Sequence, residues 1–309
     1  MEFEISLLNV LLALSYALLG FVLCKMKKAA ADHLPTLSAV LVYLTSPFIV
    51  INAFYGMTYS VDNLRKMGLF FLTVLLIELL FVGILLGIFK AKSKDVRMRI
   101  AILASTMGNA GFFGIPVVQA LFPDSPEVLC YACMVICPMN LVAFTLGIYL
   151  MTGNKSSMTP KAAFLNPTML GLLIALPLFV TQLLPKMPDV VMKGVGTLAG
   201  VSTPLCMIIL GIRLATADLK ALFTRWSVYL ACFLKLIVYP LFCYGVVCLI
   251  PAFDKTFCGA MLILSAMPCA SIVLNLAEIH KSDAEFAANC VLLSTLLCCL
   301  TIPLLSLLL

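Results

Sequence analysis

The stretch Ser105–Gly111 reads S-T-M-G-N-A-G, the stretch Ser265–Ser271 reads S-A-M-P-C-A-S, and both interrupt long apolar runs. Glycine weakens a helix through its backbone freedom, and proline weakens it by removing a hydrogen-bond donor. The two stretches therefore predict two helices that are broken within a membrane. Matched interruptions in two halves of a chain are typical of a membrane carrier's binding site.

Other parts of the chain repeat in a similar way. Leu44–Phe48, L-T-S-P-F, matches Val201–Leu205, V-S-T-P-L, which lies 157 residues later. At the same spacing, Glu78 in one apolar run matches Lys235 in another. The sequence therefore predicts two structural repeats joined by a short cytoplasmic linker. The first repeat, the linker and the second repeat are residues 1–151, 152–166 and 167–309.

The composition is that of an integral membrane protein. Of the 309 residues, 63% are hydrophobic and only 11% are charged, whereas a soluble domain carries roughly 25% charged residues. Apolar runs of about 20 residues are long enough to cross a bilayer as helices. We predict an all-α fold with ten transmembrane helices. They lie at about residues 4–24, 37–55, 67–89, 100–122, 128–151, 167–184, 190–212, 227–250, 256–279 and 286–308.

The distribution of basic residues predicts how the chain is oriented. Loops after odd-numbered spans hold fourteen Lys and Arg residues, and loops after even-numbered spans hold five. The positive-inside rule therefore places the odd loops in the cytoplasm and both termini outside it. Five spans in each repeat make the second repeat inverted relative to the first. The predicted location is the cell membrane, plasma or bacterial inner, as a multi-pass protein.

The cysteines and histidines do not form a recognisable metal or catalytic motif. Most of the thirteen cysteines lie inside apolar runs, and the two histidines, His33 and His280, lie beside loops. We interpret the cysteines as small packing residues and predict no metal, no cofactor and no catalytic site. The net charge of +6 reflects membrane orientation and does not indicate a nucleic-acid partner.

The two broken helices supply the candidate binding site. If the breaks cross, the N-terminal ends of the second half-helices bring free N–H groups and partial positive charge together. Such a place favours an anion. The alternative is that these are ordinary kinks and close-packing glycines. The candidate substrate-binding residues are Asn109, Gly108, Gly111, Pro116, Met267, Pro268, Ser271, Asn275 and Asn140.

Two charged residues, Glu78 and Lys235, lie deep in predicted spans. A charge at that depth is costly, so each side chain should face protein or water and find a partner. One interpretation is a structural ion pair between them. The other is a role in proton or ion coupling, and the sequence leaves both open.

The residues around the breaks carry a resemblance to a known family. Met107–Pro116, M-G-N-A-G-F-F-G-I-P, is similar to the P-N-T…G-I-P segment of plant auxin efflux carriers, and Ala266–Pro268 is similar to bacterial members. The chain resembles the auxin efflux carrier family of permeases, within the superfamily of bile-acid, arsenite and riboflavin transporters. The resemblance implies that spans 4 and 9 cross at the substrate site, with Asn109 as the crossover asparagine.

The resemblance also implies how the helices are grouped. It predicts a scaffold of residues 1–60 and 167–215, a transport domain of residues 65–151 and 226–309, and homodimers formed through the scaffold. Gly108 replaces the proline of the plant pattern, and the long central loop of the plant carriers is missing. The compact chain is therefore similar to bacterial permeases, for which malate or malonate, rather than auxin, is the expected substrate.

Our leading hypothesis is a secondary-active efflux carrier that moves small organic anions by alternating access, with H⁺ or Na⁺ as possible coupling ions. The anions would be carboxylates, malate- or malonate-like or auxin-like. The first alternative is a sodium-coupled symporter of the bile-acid type, for which Glu78 is the only carboxylate deep in a span. A channel and an intramembrane enzyme are further alternatives.

Overall fold

The structure is a computed structural model that describes residues 2–92, 95–217 and 219–309. Over these residues the secondary structure is helical, apart from one isolated β-bridge. The helices are α1 (Glu2–Lys25), α2 (Ala31–Tyr55), α3 (Val61–Ile88), α4 (Val96–Ala104), α5 (Ala110–Leu121), α6 (Glu127–Thr152), α7 (Lys155–Leu165), α8 (Pro167–Val180), α9 (Asp189–Thr216), α10 (Leu219–Thr224), α11 (Trp226–Cys248), α12 (Lys255–Ser265), α13 (Ile272–Ile279) and α14 (Ala284–Ser306).

Seven of the described helices are long and apolar enough to cross a membrane: α1, α2, α3, α6, α9, α11 and α14. An eighth span arises if α7 and α8, which meet at an angle of 43°, are taken together. Predicted spans 4 and 9 are instead two short helices each, α4 with α5 and α12 with α13. The prediction of an all-helical, multi-pass membrane protein is confirmed.

Close backbone contacts hold α1 against α9. A Cβ atom at Gly20 would overlap the carbonyl oxygen of Ile208, and one at Gly211 would overlap that of Ala17. Small residues let membrane helices approach closely, so that dispersion forces act between their backbones. Both positions therefore require glycine.

The remaining helices form two sets of neighbours. In the first set, α9 also packs on α2, and α2 packs on α8, where Gly171 lies against the backbone of Pro47. In the second set, α3 packs on α6, and α11 packs on α4, α12 and α14. Helix α1 contacts both sets, because it also packs on α14, where Ser6 and Ser306 share a buried hydrogen bond of 3.0 Å.

Aspartates begin the helices α12 and α14. Asp254 accepts the N–H of Phe257 at 2.8 Å and the ammonium of Lys66 at 2.9 Å. Asp283 likewise accepts the N–H of Phe286 and the guanidinium of Arg97. Burial alone would raise the pKa of both carboxyls, but these hydrogen bonds hold each pKa below its usual value. The two aspartates are therefore charged caps that favour the helix N-termini.

Candidate functional site

The first break lies between α4 and α5. Helix α4 ends at Ala104, and α5 begins at Ala110, with Asn109 as its cap. The side-chain Oδ1 of Asn109 accepts the N–H of Phe112 at 3.3 Å, so the amide satisfies one of the free donors at the helix start. Gly108, Gly111 and Gly114 form a glycine cluster here, and of these three only Gly108 lies in the break itself.

The other glycines of this cluster lie inside α5. A Cβ atom at Gly111 would come within 2.9 Å of Ile136 Cδ1, and one at Gly114 would come within 3.2 Å of Met267 Cγ. Pro116 also lies within α5, in its first regular turn. The glycines after Asn109 therefore serve close packing, and only the residues before it open the helix.

The two breaks cross and bond to each other. The N–H of Asn109 donates to the carbonyl of Pro268 at 2.8 Å, and the N–H of Ala270 donates to the carbonyl of Met107 at 3.0 Å. These bonds form the antiparallel bridge between Gly108 and Cys269. Non-helical backbone at membrane depth must be satisfied by protein or by water in a cavity. Here the backbone of each break satisfies part of the hydrogen-bonding capacity of the other.

Lys235 joins the C-terminal ends of α4 and α12, which are the first halves of the two broken spans. Its side chain is 1% exposed, and its ammonium donates to the carbonyls of Thr106 at 3.2 Å and Ser265 at 2.9 Å. Both carbonyls lie at the C-terminal ends of helices, where the partial charge is negative and a cation is favourable. The ammonium also lies 4.5 Å from the ring centroid of Tyr239, within range of a cation–π interaction.

Glu78 lies beside this ammonium. It is 1% exposed, and its Oε2 has no hydrogen-bond partner in the described part of the chain. Glu78 and Lys235 line one small cavity of about 10 Å³, about the volume needed for a single water molecule. The lysine therefore uses backbone carbonyls as its hydrogen-bond acceptors, and Glu78 lines the same small cavity.

A much larger cavity of about 1270 Å³ reaches the crossed breaks from the other side. At its deep end lie Gly108, Asn109, Ala270 and Ser271. Its far end, which we call the mouth, is lined by Lys161, Arg213, Glu278 and Glu285, all close to helix ends. Arg213 of α9 and Glu278 of α13 form an ion pair of 3.1 Å at the mouth.

Comparison with known proteins identifies the family. A family profile described as "Membrane transport protein" matches residues 5–160 and 151–306. The chain belongs to this auxin efflux carrier family. It is 26% identical to an uncharacterized transporter of Methanocaldococcus jannaschii over 88% of this chain and 89% of that protein. It is 25% identical to an uncharacterized transporter of Methanothermobacter thermautotrophicus over 96% of each chain.

In this membrane transporter, the large cavity brings together six of the residues proposed from the sequence. They are Gly108, Asn109, Gly111, Asn140, Ser271 and Asn275. Three others do not line it. Met267 packs against Gly114, the carbonyl of Pro268 bonds Asn109, and Pro116 lies further along α5. Glu78 and Lys235 lie behind the breaks, in the small cavity.

The transporter also brings residues to the site that sequence reasoning missed. Cys206 Sγ lies 3.9 Å from Asn109 Nδ2, and the Thr203 hydroxyl donates to the carbonyl of Phe112 at 2.7 Å. Both belong to α9. Cys206 lines the large cavity, and so does Asn289 of α14. The repeated Ser/Thr-Pro motif could have drawn attention to Thr203 from the sequence alone. Cys206 and Asn289 had none, because their place depends on how distant helices pack.

In the described ranges, no group of three or more His, Cys, Asp or Glu side chains is arranged so that it could hold a metal ion. The polar groups of the large cavity are mainly amides, hydroxyls and backbone N–H groups. These groups can bind a ligand by hydrogen bonding without providing a fixed charge.

Proposed function

We propose that this transporter moves a small organic anion by alternating access, and that the large cavity is its substrate path. The observation that carries the proposal is a cavity of about 1270 Å³ that ends at two crossed helix breaks. Carriers with internal repeats place their substrate at such broken helices. The proposed substrate contacts are Asn109, Asn140, Ser271 and Asn275.

The half-helix starts support an anionic substrate. Helices α5 and α13 begin at the crossed breaks, and among the described residues no side chain caps the first turn of α13. Helix N-termini carry partial positive charge and free N–H groups that suit a carboxylate. At the mouth, the acidic residues Glu278 and Glu285 are balanced by the basic residues Lys161 and Arg213, so the charged side chains there do not oppose the entry of an anion.

The mouth supports an inward-facing state. Its residues lie at the helix ends joined to the loops rich in Lys and Arg, which the positive-inside rule assigns to the cytoplasm. We therefore propose ten spans in two inverted repeats, with α4–α5 and α12–α13 each counted as one span and both termini outside the cytoplasm.

Helix packing supports the division into scaffold and transport domain. Helices α1, α2, α8 and α9 form a chain of packed neighbours, whereas α3, α4, α6, α11, α12 and α14 form the second set. We propose that the second set moves against the first and that the scaffold also forms the homodimer. Exposed leucines along α1 provide an apolar surface for lipid or for a second copy.

The position of Lys235 argues against the sodium-coupled alternative. Its ammonium already supplies a positive charge to the carbonyl ends of both first half-helices. A transported cation is therefore not required at that place. A channel explains the hydrogen-bonded crossing of the two breaks less well than a carrier, and an intramembrane enzyme would need a nucleophile with a base or a metal set.

Replacing Asn109 by serine tests the site. Serine keeps a helix cap but removes the amide that faces the cavity, so we expect transport to fall at least about tenfold while the protein stays folded. Uptake of labelled malonate and malate into proteoliposomes measures the first effect, and size-exclusion chromatography the second. Ser60→Ala controls for a weakened cap, because it removes the cap of α3 away from the cavity, and it should leave uptake unchanged. Unchanged uptake in Asn109→Ser would refute the site.

Cysteine labelling tests the orientation. Cysteines introduced one at a time at Lys92 and Lys186 should react from opposite sides of the membrane. The background is a variant in which the cysteines that are not buried, Cys24, Cys248 and Cys299, are replaced by serine. We expect position 92 to be protected from an impermeant maleimide in intact cells and position 186 to react. The reverse pattern would show that the cavity opens outward.

A further inference from the structure

Four polar side chains of the large cavity, at the start of α5, in or just before α13, and in α14, lie in two layers. Asn109 and Ser271 lie at the crossed breaks. Asn275 is one helical turn further along α13, about 6 Å nearer the mouth at 1.5 Å per residue. Asn289 is five residues from the mouth-side start of α14, which is a neighbour of α13, and therefore lies at a similar depth. The second layer is thus separate from the first.

Asn289 is an unusual member of this layer. It is 2% exposed, and its Nδ2 has no hydrogen-bond partner within the described residues. A buried donor without a partner costs roughly 1–3 kcal/mol. Most buried polar groups in folded proteins are satisfied, so an exception calls for an explanation.

The face of α14 that carries Asn289 explains what the donor can reach. Glu285, Ala288, Asn289 and Leu292 all line the cavity, as expected for one face of a helix. The last torsion of an asparagine side chain has broad, two-fold preferences. Rotation about it turns Nδ2 toward the cavity, and no hydrogen bond of Nδ2 has to break.

The charges around Asn289 are already paired. Glu285, one turn closer to the mouth, forms an ion pair of 3.1 Å with Arg225, and Glu278 is paired with Arg213. The pairing offsets the negative charge near Asn289. An incoming acceptor group, such as a carboxylate or carbonyl oxygen, therefore meets a neutral amide donor there.

We propose that Asn289 binds a second acceptor group of the transported molecule, about one helical turn nearer the mouth than the group held at the crossed breaks. The inference rests on the proposed function, since it assumes that the first group is an anion at the breaks. It assigns Asn289 as a specificity-determining residue. The substrate class is an acid that carries a second acceptor group at the other end of a short chain.

Ligand-dependent thermal unfolding of the purified protein tests this assignment. The probes are glutarate and adipate, with pentanoate and hexanoate as monoacids of matching length. Apparent dissociation constants follow from the shift in Tm with ligand concentration. We expect the wild type to bind the better diacid about tenfold or more tightly than its monoacid. In Asn289→Leu this preference should fall to about one.

The same variant has a second readout, which separates binding from a structural role. Leucine has a similar size and needs no hydrogen bond, so the ligand-free Tm of Asn289→Leu should equal or exceed that of the wild type. A ligand-free Tm several degrees lower would overturn the assignment, because Asn289 would then be a structural donor. Asn289→Asp is the second variant, and it should also lose the diacid preference because it replaces the donor by an acceptor.

The two proposals fail in different ways. If acids bind the wild type but diacids have no advantage, or if Asn289→Leu keeps the advantage, the role of Asn289 is wrong and the proposed function stands. If neither acid series binds the wild type but malonate or malate does, only the role of Asn289 fails. If none of these acids binds, the proposed function fails, and the role of Asn289 fails with it.

Discussion

Replacing Gly211 by alanine should prevent the protein from folding into a stable membrane bundle. The added Cβ would overlap the backbone carbonyl oxygen of Ala17 in α1. Because Cβ is fixed to its own backbone, no side-chain rotation can relieve this overlap. Helices α1 and α9 would have to separate along their length, and the Gly20 contact would open as well. Overpacking of this kind costs about 1–3 kcal/mol or more. We expect little monodisperse protein after detergent extraction, and a Tm lowered by many degrees in what remains.

The same helix offers a matched control. Gly200 also lies in α9, and a Cβ atom there would have no atom of the described residues within 4 Å. Gly200→Ala should therefore be neutral or slightly stabilising, since alanine is the better helix former by about 1 kcal/mol. If Gly211→Ala gave the Tm and yield of the Gly200→Ala variant, the tight contact between α1 and α9 would be refuted.

Replacing Lys235 by methionine should have the second large effect. Methionine retains the length of the side chain but leaves the carbonyls of Thr106 and Ser265 without their donor. Each unsatisfied buried acceptor costs roughly 1–3 kcal/mol, so the pair costs about 2–6 kcal/mol. We expect a large fall in Tm and loss of transport, measured by thermal unfolding and by uptake into proteoliposomes.

Charge reversal separates two roles for Lys235. A structural ion pair with Glu78 would be restored in the double variant Glu78→Lys, Lys235→Glu. The structure predicts no rescue, because a carboxylate at position 235 would face two carbonyl oxygens. Glu78→Gln, which keeps the shape, should be much milder than Lys235→Met. Recovery of both fold and transport in the double reversal would contradict the role of Lys235 at the helix ends.

The position of the breaks could be predicted from the sequence, since Gly108 and Pro268 are poor helix formers inside apolar runs. Their crossing could also be expected, because the two interruptions occupy matching places in two similar halves. The sequence did not distinguish Gly108, which lies in the break, from Gly111 and Gly114, which admit neighbouring side chains to α5. Glycine has the same sequence signature in both roles.

The partners of buried polar groups were harder to predict. Lys235 suggested a pair with Glu78, because sequence reasoning matches charge with charge. Its partners are backbone carbonyls, which every residue has and which no sequence pattern marks. The contact between Asn109 and Cys206 likewise depends on the packing of helices that are almost a hundred residues apart in the chain.

The covalent attachment of the Lys235 ammonium has a consequence for how the empty protein behaves. A carrier that needs a dissolved cation to neutralise its helix ends stalls when that cation is absent. Here the neutralising charge stays in place whether or not the cavity is occupied. On the proposed alternating-access mechanism, we therefore expect the unloaded protein to change its conformation without a counter-substrate, which would allow net flux down a gradient as well as one-for-one exchange.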